Sequence, residues 1–197
     1  FAHFGKECSV DLEKIFKDLE HDEDGLYKLR IVYDLEGNFK SQMLPYAFPE
    51  IETFELVENN DFSYDFKFTD RTEFEKMKKK ARAQEIIIVK NGQITDTSFS
   101  NLLFLKNQTW YTPKSFLLNG VQRQNLLKQG IIKESEITLQ NLNEFSHFQL
   151  INSMNEFNQD FVYSIEELKA HLGNMEEDEY EKLVFQVDYE EDEDRSY

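Results

Sequence analysis

A run of β-branched residues followed directly by a turn signal constrains the fold of this chain more than any other feature. Residues 85–90, EIIIVK, have the length and composition of a buried strand. Asn91-Gly92 comes next, a pair typical of tight hairpin turns, and residues 94–113 alternate apolar with small polar side chains. The sequence therefore predicts a buried β-hairpin over residues 86–105.

The rest of the chain predicts helices and strands on both sides of this hairpin. Helical spacing of apolar residues begins at Leu12, and Glu36-Gly37-Asn38 joins two strands within residues 26–46. Asp70 is expected to cap a basic helix and Gly130 to end a later one. Further strands are predicted at 51–57, 108–113, 131–138, 148–157 and 161–165, and helices at 12–21, 71–84, within 117–130, at 139–145 and within 166–197.

These elements indicate a mixed α+β fold with two lobes. The 197 residues suffice for one sizeable core, or for two small lobes that share one. A helix and an antiparallel sheet, with 51–57 as its third strand, make a small lobe over residues 1–62. A larger lobe follows over residues 63–165, and residues 166–197 form an acidic extension.

The distribution of charge argues against several classes of partner. The net charge is −17, of which residues 166–197 contribute −10 because they contain 13 Asp and Glu against 3 Lys and Arg. An acidic surface without a basic stripe disfavours nucleic acid and anionic membranes. The apolar runs are too short to span a bilayer, the single Cys8 favours a reducing compartment, and the four His lack metal-ligand spacing. We expect a cytoplasmic protein without a metal site or a membrane partner.

Two polar residues stand out against apolar surroundings, and the residues alone leave the role of each open. Asp96 lies at the mouth of the predicted second strand of the hairpin, where a carboxylate is costly unless a cationic or protonated group meets it. It either caps the turn after Ile94-Thr95 or pairs with such a group. Alternation in the run YDFKF places Lys67 with Asp65 on one face of an extended segment, where the lysine is either a solvated surface charge or a site residue.

Five pieces of the sequence occur in the order and spacing of a known family. They are Lys67 in FKFTDR, then GQITDTSFSNLLF, WYTP, LLNGVQR and LINSMN. The chain resembles the fold-type IV pyridoxal-phosphate enzymes, the class IV aminotransferases, and most of all the members similar to 4-amino-4-deoxychorismate lyase. The likeness covers roughly residues 26–165 and is strongest from Lys67 to Asn155. It implies a two-lobed fold like that of D-amino-acid aminotransferase, with a pseudo-barrel sheet in the larger lobe, and a homodimer.

The resemblance also assigns a cofactor, pyridoxal 5′-phosphate, and residues that bind it. Lys67 matches the lysine whose amine bonds to the cofactor aldehyde and then moves the substrate's α-proton. Asp96 matches the acid that keeps the ring nitrogen protonated, a position where the family usually has glutamate. Ser100 and Asn101 would fix its strand. Gly120, Val121 and Gln122 match the turn that binds the phosphate through backbone amides.

Substrate contacts are implied at two further places. Asn152, Ser153 and Met154 correspond to the family's turn beside the substrate carboxylate. Arg30 lies on a strand that carries an arginine in several relatives, where it either pairs with that carboxylate or is a surface residue. Arg71, four residues after Lys67, matches a lyase-like K-x-x-x-R pattern and is either functional or structural.

Three functions stay open at this point. The first is a pyridoxal-phosphate lyase that acts on aminodeoxychorismate, releases pyruvate and leaves 4-aminobenzoate for folate synthesis. The second is a transaminase for a small amino acid. The third is a non-catalytic relative, because family members carry a segment with a histidine and an arginine ahead of the point where this chain begins, and Phe1 is either the true start or a boundary.

Overall fold

The computed structural model describes residues 10–19, 24–155, 157 and 162–172, and the chain forms two compact units, Phe1–Pro49 and Glu50–Tyr197. We call them the first unit and the second unit. The predicted lobe borders at residues 62 and 165 stay predictions. Beyond residue 172 the predicted acidic extension lies outside the described residues.

The first unit contains one helix and one hairpin. Helix α1, Leu12–Asp18, begins where the Asp11 carboxylate accepts a hydrogen bond from the Lys14 amide at 3.0 Å. Strands β1, Tyr27–Tyr33, and β2, Phe39–Pro45, pair antiparallel. The predicted turn between them is confirmed, because the Asp34 carboxylate accepts hydrogen bonds from the backbone amides of Glu36 and Asn38.

The second unit is built on an eight-stranded mixed sheet with few helices, so the predicted α+β class is confirmed. Its strands in spatial order are β10, β9, β6, β5, β4 and β3, with β7 pairing to β6 and β8 to β7. The strands are β3 Phe54–Glu58, β4 Glu85–Lys90, β5 Gln93–Thr97, β6 Asn101–Lys106, β7 Thr109–Pro113, β8 Ile132–Ser135, β9 His147–Ile151 and β10 Val162–Ser164. The helices are α2 Thr72–Lys80, α3 Val121–Lys128 and α4 Ile165–Leu172, with a 3-10 helix at Leu142–Glu144.

The predicted central hairpin is confirmed for β4 and β5, but residues 98–100 form a second turn and β6 is a separate strand, so residues 86–105 do not form one hairpin. Asn91 and Gly92 have φ of 50° and 69°, the left-handed pair that a tight two-residue turn requires. Strand β4 is buried on both faces, as its continuous apolar sequence predicts. Helix α2 packs Phe74 and Met77 on Ile86 and Ile88 of this strand, so the hairpin lies between α2 and the main core of the sheet.

The third strand of the predicted small lobe belongs instead to the large sheet. Strand β3 pairs in parallel with β4, with Phe54 opposite Glu85 and Leu56 opposite Ile87. Phe54 packs edge-on against Phe148 at a centroid distance of 4.9 Å. That assignment was wrong because β4 needs a hydrogen-bond partner on its second edge, which alternation within 51–57 does not reveal.

Strand β6 changes partners along its length, and this creates the site described below. On one side it pairs with β9 from Asn101 to Leu105. On the other side it pairs with β5 through Asp96 and Asn101, and then with β7 from Phe104 onward. The segment after β7 lies where β5 and β7 separate, and its Leu117 and Leu118 amides bind the Asp96 carboxylate there. Within the described part of the chain, none of the helices has the length and apolarity needed to cross a bilayer.

Candidate functional site

Asp96 is the centre of a buried polar cluster at the split between β5 and β7. Its side chain is only 5% exposed. One carboxylate oxygen accepts hydrogen bonds from the backbone amides of Leu117 and Leu118, at 3.0 and 2.8 Å, and the other accepts one from Asn101 Nδ2 at 2.9 Å. The acid therefore holds the loop that leads from β7 into α3, and it does not merely cap its own turn.

Burial controls the charge of this acid. Desolvation raises the pKa of Asp96 from 3.8 to about 6, although the hydrogen bonds from Leu118, Asn101 and Leu117 and the charge of Arg123 act in the opposite direction. A positive group that reached the carboxylate would favour its ionised form. The folded chain thus protonates this carboxylate at a higher pH than an exposed aspartate.

Asn101 and Gly120 fix the loop from the other side. Asn101 Nδ2 donates both to Asp96 and to the Leu118 carbonyl, at 2.9 and 2.8 Å. A Cβ on Gly120 would lie only 2.1 Å from Asn101 Oδ1. Because the φ of Gly120 is −64°, it is the close approach of the asparagine that requires glycine here, and not the backbone conformation.

Helix α3 begins at this loop, and no side chain caps its first amides. Gly120 is the N-cap residue and makes no side-chain hydrogen bond, since it has no side chain. The amides of Val121 and Gln122 lie in the first turn, where helix geometry supplies no backbone acceptor. Such a helix start attracts an anion. Gly120, Val121 and Gln122 thus follow directly on the loop whose Leu117 and Leu118 amides bind Asp96, and their assignment to the cofactor stays a prediction.

Arg123 anchors this helix and was missed by the sequence analysis. It is 2% exposed, donates to Asn119 Oδ1 at 3.0 Å, to the Pro113 carbonyl at 3.1 Å and to the Glu134 carboxylate, and it stacks on Phe116 at 4.2 Å. The residue stands in the quoted motif LLNGVQR, but an arginine in a first helical turn carries no local sign of burial. Its role is to hold the start of α3 against β7 and β8.

Lys67 lies at the tip of a tight turn and not in the extended segment that alternation predicts. The Phe68 amide donates to the Phe66 carbonyl at 2.8 Å, which closes a three-residue turn around Lys67. Tyr64, which is buried, donates its hydroxyl to the Phe68 carbonyl at 2.7 Å and so fixes the turn. Lys67 itself is exposed. The expected extended segment is absent because these two local hydrogen bonds turn the backbone at Lys67.

An open pocket of about 190 Å³ lies between the segments 63–65 and 115–117. Its lining also includes Lys90 and Thr95, one residue before Asp96. Neither Lys67 nor Asp96 lines this pocket. The structure therefore does not bring the lysine and the acid together around this pocket.

The turn that contains Asn152, Ser153 and Met154 contacts the segment after Asp96. Asn152 Oδ1 accepts hydrogen bonds from the amides of Met154 and Asn155, at 2.7 and 2.8 Å, which closes the turn. Its Nδ2 donates to the Phe99 carbonyl at 3.4 Å. Asn152 thus contacts the Ser98–Ser100 turn, and the assignment of Asn152, Ser153 and Met154 to the substrate stays a prediction.

Arg30 belongs to the first unit, on β1, and is exposed. Its guanidinium donates to Gln42 Oε1 on β2 at 3.4 Å, across the hairpin. Its assignment to the substrate stays a prediction.

The comparison with known families decides the family. The family model for class IV amino-transferases matches residues 39–159. This chain belongs to the class IV aminotransferase family. The motifs that carry the resemblance from Lys67 to Asn155 all lie within the matched residues.

Two relatives support this assignment. An uncharacterised protein of Haemophilus influenzae is 36% identical over 131 residues, which is 66% of this chain and 69% of the relative. The crystal structure of a provisionally named 4-amino-4-deoxychorismate lyase from Haemophilus somnus 129PT is 35% identical, with a TM-score of 0.70 over 79% of this chain and 82% of that one.

A more distant solved structure shows the fold alone. A provisionally named amino-acid aminotransferase from Mesorhizobium loti is 17% identical, with a TM-score of 0.58 over 66% of this chain and 70% of that chain. The fold expected for a class IV aminotransferase is therefore confirmed.

Proposed function

We propose that this class IV aminotransferase relative is a pyridoxal-phosphate lyase that converts aminodeoxychorismate into 4-aminobenzoate and pyruvate. The observation that carries the proposal is the cluster in which buried Asp96 is tied to the start of α3 through Asn101 and Gly120. The likeness to the Haemophilus somnus protein supports the lyase reaction over the other reactions of the family.

The residues of the cluster fit pyridoxal phosphate. A carboxylate offers about four acceptor positions, and those of Asp96 receive hydrogen bonds from Asn101, Leu117 and Leu118. One position stays available for the protonated ring nitrogen. The amides of Val121 and Gln122 would hold the phosphate. The bound cofactor supplies an electron sink for the carbon that loses a proton.

The proposed chemistry requires one group that moves a proton. Lys67 Nζ would hold the cofactor covalently until the substrate amine displaces it, and the freed Lys67 amine would then take the proton from the substrate carbon that bears the amine. The carbon–oxygen bond between the ring and the enolpyruvyl group would break, and Lys67 Nζ would return the proton to the methylene of the released enol, which leaves as pyruvate. Lys67 Nζ would finally displace the amine of the product from the cofactor. Arg30 and the turn at Asn152, Ser153 and Met154 would bind carboxylate groups.

We further propose that the protein works in the cytoplasm as a homodimer. The single Cys8 would stay reduced there. The mass of the particle in solution, measured by light scattering, tests the dimer against a particle of 23.5 kDa.

The proposal predicts that pyridoxal phosphate becomes attached to Lys67. The protein incubated with the cofactor is expected to gain an absorbance band near the visible edge, and borohydride reduction should fix one cofactor per chain on the peptide that contains Lys67. In the Lys67→Ala variant both signals should disappear. Lys133→Ala, an exposed lysine on β8, is the matched control and should keep them.

Assays on the same protein incubated with cofactor distinguish the three functions. Pyruvate released from aminodeoxychorismate without a keto acid identifies the lyase, whereas a requirement for a keto acid identifies a transaminase. Lys67 is exposed and does not line the pocket at 63–65 and 115–117, and this observation favours the third function, a non-catalytic relative. Protein that stays colourless in excess cofactor would contradict the proposed enzyme and support that function.

A further inference from the structure

Arg71 connects the turn at Lys67 with the turn that follows Asp96. Its Nη2 donates to the Ser98 carbonyl, 27 residues along the chain. Its Nη1 lies 3.5 Å from the Tyr64 hydroxyl, and that hydroxyl donates to the Phe68 carbonyl at 2.7 Å. The guanidinium thus binds the Ser98 backbone directly and is linked to the Phe68 backbone through the Tyr64 hydroxyl.

The guanidinium is held in place by aromatic rings. It lies 4.4 Å from the ring centroid of Phe74 and 5.9 Å from that of Tyr64. Phe74 and Tyr64 pack edge-on against each other at 4.8 Å. A planar cation on such rings loses little freedom when its donors are used, so the group is built to act as a fixed link.

The Ser98 backbone is also held from the opposite side. Its amide donates to Glu85 Oε1 at 3.0 Å, and the other carboxylate oxygen of Glu85 lies 2.9 Å from Lys78 Nζ. Glu85 is buried. Because Ser98 is only two residues after Asp96, any shift of this backbone would be transmitted to the carboxylate at the centre of the cluster.

We infer that Arg71 is a positioning residue that sets the turn carrying Lys67 relative to the backbone beside Asp96. This inference rests on the proposed function for its consequence, since the proposed cofactor must meet both residues. Arg71 acts through Tyr64 and Ser98 and is not itself assigned a contact with substrate. The K-x-x-x-R spacing places the arginine on the first residue before α2, where its side chain reaches both turns.

The test measures backbone hydrogen exchange in the protein without cofactor. In Arg71→Met, which keeps an apolar stem and removes the donors, amide exchange at Phe68 and at Ser98–Ser100 should rise together by about tenfold, while the β6 amides stay protected. Tyr64→Phe keeps the rings and removes the hydroxyl, so exchange should rise chiefly at Phe68. Arg82→Met, an exposed arginine after α2, should change neither turn.

Two results would overturn the inference. One is unchanged exchange at either turn in Arg71→Met; the other is an equal rise throughout the second unit, which indicates general destabilisation. In Arg71→Met, borohydride-fixed cofactor at Lys67 should form about tenfold more slowly than in wild type, with Arg71→Lys in between and Arg82→Met unchanged. If the wild-type chain takes up no cofactor, the proposed function fails, but the exchange measurements still decide the role of Arg71.

Discussion

Replacing Gly120 with alanine is expected to lower the free energy of unfolding of the second unit by about 3 kcal/mol. The new Cβ would lie 2.1 Å from Asn101 Oδ1, and Asn101 is buried, so its side chain must move. Moving it breaks the hydrogen bonds that its Nδ2 makes to Asp96 and to the Leu118 carbonyl. Urea unfolding followed by circular dichroism measures the loss.

A double-mutant cycle isolates this clash from other effects of a Gly-to-Ala change. Asn101→Ala removes the atoms that the new Cβ would meet, so Gly120→Ala should cost less than about 1 kcal/mol in that background. Gly130→Ala is the matched control: it has open space around it and a φ of 70°, so only backbone strain of about 1 kcal/mol is expected. An equal cost of Gly120→Ala in both backgrounds would contradict the proposed contact.

The sequence predicted well those features that depend on neighbouring residues. The β-branched run 85–90 and Asn91-Gly92 were sufficient for the central hairpin, because burial and turn chemistry both act within a few residues. Gly130, with a φ of 70°, ends α3 as expected for a helix that closes in the left-handed region. Asp70 accepts a hydrogen bond from the Thr72 amide, although α2 begins two residues after it.

The sequence did not predict features that depend on contacts between residues far apart along the chain. The placement of β3 beside β4 follows from the need to pair an edge of the sheet, and residues 51–57 carry no sign of their partner. The turn at Lys67 is a different case, because the Tyr64 hydroxyl binds the Phe68 carbonyl only four residues along the chain. Alternation of apolar and polar residues predicts an extended segment there, since it does not reveal a side chain that binds the nearby backbone.

In the candidate site, too, the sequence predicted individual residues but not the contacts between them. The motifs named Asp96, Asn101 and Gly120 separately, each by order and residue type. What the sequence did not contain is the geometry that joins them: amides 21 and 22 residues beyond Asp96 bind its carboxylate, and the absent side chain of Gly120 leaves room for Asn101. Resemblance assigned the positions, whereas the fold explains why glycine and asparagine occur together.

The second unit is expected to become less stable as the pH rises from 4 to 7. The pKa of Asp96 is raised by burial from 3.8 to about 6, so between these values the folded chain binds more protons than the unfolded chain. The free energy of unfolding therefore falls as the pH rises through this window, by at most about 3 kcal/mol. Asp34 and Asp70 have lowered pKa values, so the stability that their ionised carboxylates contribute is lost only at a lower pH.

Unfolding curves of Asp96→Asn and of wild type, measured between pH 4 and 7, isolate this contribution. The variant should lack the fall, whereas Asp34→Asn, which removes an acid that titrates below the window, should retain it. If the free energy of unfolding changed with pH in the same way in wild type and in Asp96→Asn, the raised pKa of Asp96 would be contradicted. Loading with pyridoxal phosphate should also reduce the fall in wild type, because a protonated ring nitrogen at the free acceptor position would stabilise the carboxylate and lower its pKa. An unchanged fall in loaded protein would leave Asp96 as an acid that only holds the loop before α3.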